Sequence, residues 1–122
     1  MTKLEEGQHR LRHIRALSKA SQTYTIQVEV VDSKHCNTGY RVGDKFILDV
    51  DGNLISKLSP KRLCVYLVSQ MIIPVALINE RLSEGLEPNN FHFMQYLRCP
   101  DVGVQCLGYG EVKARVTIVS RK

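Results

Sequence analysis

The segment from Leu63 to Ile78 constrains this chain of 122 residues more than any other. It is nearly all apolar, interrupted only by Ser69, Gln70 and Pro74. Lys61 and Arg62 precede it, and Asn79, Glu80 and Arg81 follow. A bilayer span needs ~20 such residues, so the run predicts a buried helix rather than a membrane crossing. From Leu63 to Leu82 the sequence is apolar on almost every side, which places the helix at the centre of the core. Pro74 lacks a backbone donor and crowds the preceding turn, so it must kink or split that helix. Ser59 and Pro60 predict its start, as N-cap and first helical residue. Cys64 then falls in or just after the first turn, and Gly85 is the stop.

The segments around this helix alternate at the period of strands. Tyr24 to Val31 sets Thr, Gln and Glu against Tyr, Ile and Val, a strand with one polar face. Lys45 to Val50 predicts a second strand, running through Asp51-Gly52 into a hairpin partner at Leu54 to Leu58. Phe91 to Arg98 predicts another, closed by Cys99-Pro100-Asp101. Glu111 to Ser120 alternates cleanly, with Val112, Ala114, Val116 and Ile118 on one side. Residues 3–20 predict an amphipathic helix carrying Leu4, Leu11, Ile14 and Leu17 near one face. The expected architecture is α+β: an antiparallel sheet of four to five strands packed on one kinked central helix, plus the N-terminal helix.

Charge divides the chain into a basic arm, residues 1–22, and a single domain, residues 23–122. The formal charge is +5, but the arm alone holds Lys3, Arg10, Arg12, Arg15 and Lys19 against Glu5 and Glu6. The domain is nearly neutral, so the arm is expected to dock an acidic partner. Nucleic acid is not an expected partner: aromatics are 7% of the chain and no recognition motif is visible. The start has no apolar stretch of signal-peptide type, and a cytoplasmic location with no membrane association is expected.

In that setting the four cysteines, Cys36, Cys64, Cys99 and Cys106, are expected as thiols, metal ligands or redox centres rather than structural disulfides. No CxxC pair exists, so a zinc ribbon is not indicated. Cys36 lies in a loop, Cys64 at a helix head and Cys99 at a strand end, and such positions display chemistry. A helix N-terminus favours the thiolate of Cys64. With His35 or Asp101 as a fourth group, three thiolates would suit zinc or iron. The alternative is packing, since free cysteine behaves as a small buried hydrophobe. Gly103, Gly108 and Gly110 lack the strand–loop–helix context of a phosphate loop, and His92 between Phe91 and Phe93 is expected to pack.

Three motifs in order carry a resemblance. They are Cys36-Asn37-Thr38-Gly39-Tyr40-Arg41-Val42-Gly43-Asp44-Lys45-Phe46, then Leu63-Cys64 with Pro74 ten residues on, then Cys99-Pro100-Asp101. Over about residues 24–119 the chain resembles a family of small uncharacterised prokaryotic three-cysteine proteins. Val65 stands where that family has a proline after the helix cysteine, and the loop holding Cys106 is longer. The resemblance implies that Cys36, Cys64 and Cys99 form a recurrent set and that Cys106 does not belong to it. It implies no activity.

The expected function is thus a small thiolate-lined domain binding a metal or small ligand through Cys36, Cys64 and Cys99, with His35 and Asp101 nearby. It would serve as a homo-oligomer or as an accessory subunit of a larger enzyme. The competing expectation is a non-catalytic interaction or oligomeric scaffold domain whose cysteines only pack. An enzyme acting alone would need a pocket built between subunits.

Overall fold

The computed structural model describes residues 2–101 and 103–121. Helix α1 spans Lys3–Thr23 and opens on a capping box, Thr2 accepting from the Glu5 amide while the Glu5 carboxylate accepts from the Thr2 amide. Tyr24 ends it in extended backbone and begins strand β1, Tyr24–Lys34. Strands β2 (Lys45–Leu48), β3 (Tyr96–Arg98) and β4 (Glu111–Ser120) complete one antiparallel sheet in the order β2-β1-β4-β3. Two helices, α2 (Val65–Ser69) and α3 (Ile72–Ser83), belong to the central apolar segment. The α+β class and the four-stranded antiparallel sheet are those expected from the alternation of the sequence.

The core lies between one face of the sheet and the helices. Ile26, Val28 and Val30 of β1, Phe46 and Leu48 of β2, and Val112, Ala114, Val116 and Ile118 of β4 are buried there, against Leu67, Met71, Pro74, Ile78 and Leu82. Each such aliphatic side chain contributes ~1.5–3 kcal/mol by leaving water. Leu17 is the part of α1 that joins this core, while Leu11 and Ile14 stay exposed. The other sheet face is open, with Tyr96, Arg98, Lys113 and Arg115 exposed.

Four details depart from the expected pattern. The Ser59 hydroxyl caps no helix; it accepts from the Ile47 amide at 3.0 Å and extends the edge of β2. The hairpin partner at Leu54 to Leu58 is a single bridge, Leu48 to Leu54, followed by a 3-10 turn at Ser56–Leu58. The strand expected from Phe91 shrinks to Tyr96–Arg98, because the Asn89 amide group already takes both backbone groups of Ile118, at 2.8 and 2.9 Å.

The fourth is the central helix itself. It bends at Gln70–Met71 and not at Pro74, which occupies the first turn of α3. A first-turn residue has no intrahelical acceptor for its N–H, so proline costs little there. Gly85 ends α3 as expected, in left-handed backbone at φ 71°, with its amide on Leu82 and the next amide on Arg81. The segment is not buried on every side, however: only 28% of its most apolar stretch is buried. Its length and composition match a membrane-crossing helix, but it lies as a bent pair across the sheet with one side outward.

Candidate functional site

Tyr40 is the keystone of the corner that holds two of the cysteines. Gly39 and Gly43 turn the chain with φ of 88° and 97°, a region that favours glycine. Between them Tyr40 is driven inward, and its ring meets Phe46 edge-on at 5.2 Å. Its hydroxyl donates to the Arg62 carbonyl and accepts from the Cys64 amide, both at 2.7 Å. Its own carbonyl accepts from the Ser33 hydroxyl at 2.6 Å. One side chain therefore ties the loop after β1 to the head of α2. Burial first, and then the Cys64, Cys36 and Asp44 charges facing it, push the Tyr40 hydroxyl above its ordinary pKa, against the Cys64 amide that lowers it.

Cys64 is the N-cap residue of α2. Partial burial raises its thiol pKa, but the backbone N–H groups of Leu67 and Tyr66 and the Thr38 side chain outweigh it, and the net shift is downward. The thiol makes no capping hydrogen bond of regular geometry. The direction of the shift still follows, because free N–H groups at a helix head favour a nearby anion. Cys36 is half-buried near Tyr40 and packs on the core, as does Cys64.

The third expected ligand lies apart. Cys99 follows β3, and its amide bonds the Val112 carbonyl of β4 at 2.9 Å. Val112 pairs on its other side with Ser33 of β1. Strand β4 therefore stands between Cys99 and the strand that leads to Cys36, a backbone separation of ~9–10 Å at two strand spacings. Among the described residues, no group of three or more His, Cys, Asp or Glu side chains is placed to hold a metal ion. The elements that carry Cys36, Cys64 and Cys99 meet at one end of the sheet, without the three forming such a group among the described residues.

His35 and Asp101 have other partners. His35 sits at φ 55°, exposed, beside a groove lined by Gln105, Gly110 and Glu111. Asp101 organises its own loop, accepting from the Gly103 amide at 2.9 Å and the Tyr109 amide at 3.0 Å. The Gly103, Tyr109 and Gly110 backbone N–H groups hold its carboxyl below the usual aspartate range, against a slight rise from desolvation. Its contribution to the loop is present above the ordinary aspartate pKa and is lost as pH falls through the lowered one. The amide resonances of Gly103 and Tyr109 should titrate with a midpoint below that of a free aspartate, and Asp101→Ala should abolish the transition. A midpoint at or above the ordinary value would contradict this role. Cys106 is exposed in the same loop.

Sequence reasoning missed Tyr40 and Thr38 as site residues. Both stand inside the first motif, between Cys36 and Gly43, but nothing in spacing alone aims Tyr40 at the head of a helix 24 residues away. No family model, curated protein or solved structure matches this chain.

Proposed function

We propose that this chain is a small thiol-bearing binding domain in which Cys64, with Cys36 also near Tyr40, takes an electrophilic or soft-metal ligand. The observation that carries the reading is the place of Cys64 at the head of α2, its amide held on the Tyr40 hydroxyl and Thr38 beside it, an arrangement that lowers its thiol pKa. A thiolate is the form that attacks electrophiles and binds soft metals. The basic arm, with Arg10, Arg12, Arg15 and Lys19, would dock the domain on an acidic partner and suits an accessory subunit.

Cys106 supplies an internal control, since it is exposed while Cys64 is half-buried. Exposure alone ranks Cys106 first in reactivity; thiolate character ranks Cys64 first. In iodoacetamide labelling near neutral pH, read by peptide mass spectrometry, Cys64 should be modified before Cys106. Its rate should rise through a midpoint below the ordinary thiol value, and Thr38→Val should move that midpoint up. Labelling of Cys106 first, with Cys64 titrating as a free cysteine, would sink the reading.

A second reading, an interaction or scaffold domain, is favoured by a separate observation. Val65, Tyr66, Ile72, Ile73 and Leu77 are exposed on the outer side of α2 and α3. The two readings are compatible, because Cys64 packs inward while Val65 and Tyr66 turn away from it.

A further inference from the structure

The outer side of α2–α3 is a continuous stripe. Tyr66, Ile73 and Leu77 follow one another at helical spacing across the bend, with Val65 and Ile72 beside them. Phe93 extends it, because Leu77, Pro74 and Phe93 line one groove of about 420 Å³. Tyr66 is 66% exposed, Phe93 67%, Ile72 68% and Ile73 58%. From the areas of such side chains, the six apolar residues leave roughly 350–600 Å² in water. That is the size of the largest patch of a typical monomer, ~300–600 Å², which is often functional. It is also roughly half to three quarters of the ~800 Å² that each partner gives to a standard interface.

Charge at the two ends of the stripe selects the occupant. Lys61 and Arg62 are exposed at its head, and Glu80 and Glu84 are exposed at its tail. A surface that is basic at one end, apolar in the middle and acidic at the other is complementary to itself when turned antiparallel. We infer that the α2–α3 face binds a second copy of this chain through a two-fold axis near Ile72 and Ile73. This rests on the scaffold reading above and names its partner. In that register Tyr66 of each copy meets the Leu77–Phe93 groove of the other, and Lys61 and Arg62 meet Glu80 and Glu84. Such an interface has the same patch on both subunits, as a closed two-fold dimer requires. The apolar centre supplies affinity, and the charged rim fixes the direction.

Sedimentation or light scattering over a concentration series tests this with the full chain. The wild type should run at twice the 13.9 kDa of one chain. Ile73→Glu should weaken dimerisation by about a hundredfold or more, and Glu80→Lys with Glu84→Lys by about tenfold. Adding Lys61→Glu and Arg62→Glu to that pair should restore the dimer, which also guards against misfolding as the cause of the loss. A dimer indifferent to Ile73→Glu, or a charge swap without rescue, would overturn the interface. A wild type that stays monomeric to ~100 μM would overturn the second copy as occupant. If that monomer then bound phosphatidylcholine vesicles and Ile73→Glu abolished the binding, the docking reading would stand with lipid as the partner. If it did not bind them, that reading would lose its support too.

Discussion

Phe46→Ala is expected to cost ~3–5 kcal/mol of folding stability, the range for emptying a fully buried aromatic site. Phe46 is 0% exposed, lies opposite Val28 in the β1–β2 ladder, and is the ring against which Tyr40 stands edge-on. Replacing it removes apolar burial, leaves a cavity that sheet backbone on one side cannot collapse to fill, and takes away the wall that orients Tyr40. Domains of this size have ~5–15 kcal/mol in total, so the loss should be plain in urea unfolding as a lower midpoint with an unchanged slope. The same substitution should reach the thiol corner. With Tyr40 less fixed, the Cys64 amide loses its 2.7 Å acceptor and the head of α2 loosens. Alkylation of Cys64 should then move toward ordinary thiol behaviour before unfolding begins. A loss under ~1 kcal/mol would mean that Tyr40 and the neighbouring strands close over the site, and that the corner is less rigid than its hydrogen bonds imply.

What could be read from the sequence, and what could not, divides on whether local pattern or distant contact decides. Strand β4 was legible over its whole length because alternation is a local property and Val112 through Ile118 keep it without a break. The stop at Gly85 was legible for the same reason. The apolar run at 63–82 misled because composition reports how apolar a helix is but not whether all its sides find partners. One side met the sheet, and the other stayed in water. The helix start was misplaced by five residues because Ser59 had a stronger use, on the backbone of Ile47 at the β2 edge. That contact depends on how the sheet is assembled.

The cysteines follow the same logic. Their positions at a loop, a helix head and a strand end were legible, and these elements do meet at one end of the sheet. Whether the sulfurs converge is set by strand order, and the order β2-β1-β4-β3 puts β4 between Cys99 and the Cys36 loop. Asp101 could be seen as a candidate ligand but not as the anchor of its own loop. Only folded backbone shows that the Gly103 and Tyr109 amides claim its oxygens.

Gly110→Ala is expected to destabilise the fold by ~1–3 kcal/mol or more, the cost of forcing extra atoms into a filled site. A Cβ there would overlap the carbonyl groups of Lys34 and His35. These are backbone atoms, fixed by the neighbouring pair of Lys34 with Glu111, so no flexible side chain can swing aside. The constraint is close approach of two strands, and not the torsion angles of Gly110 itself. Relief requires β1 and β4 to part where the Asp101 loop rejoins the sheet. Amide exchange should therefore accelerate at Glu111 and Tyr109 before it does so at Val116. Gly7→Ala is the contrasting case, since a Cβ at Gly7 meets nothing within 4 Å and the residue is inside α1. The same added methyl group should there stabilise, by ~0.5–1 kcal/mol, through the backbone entropy that glycine loses on folding. Equal stability of the two variants in urea would remove the claim that the β1–β4 approach, rather than helix propensity or loop flexibility, is what requires glycine at position 110.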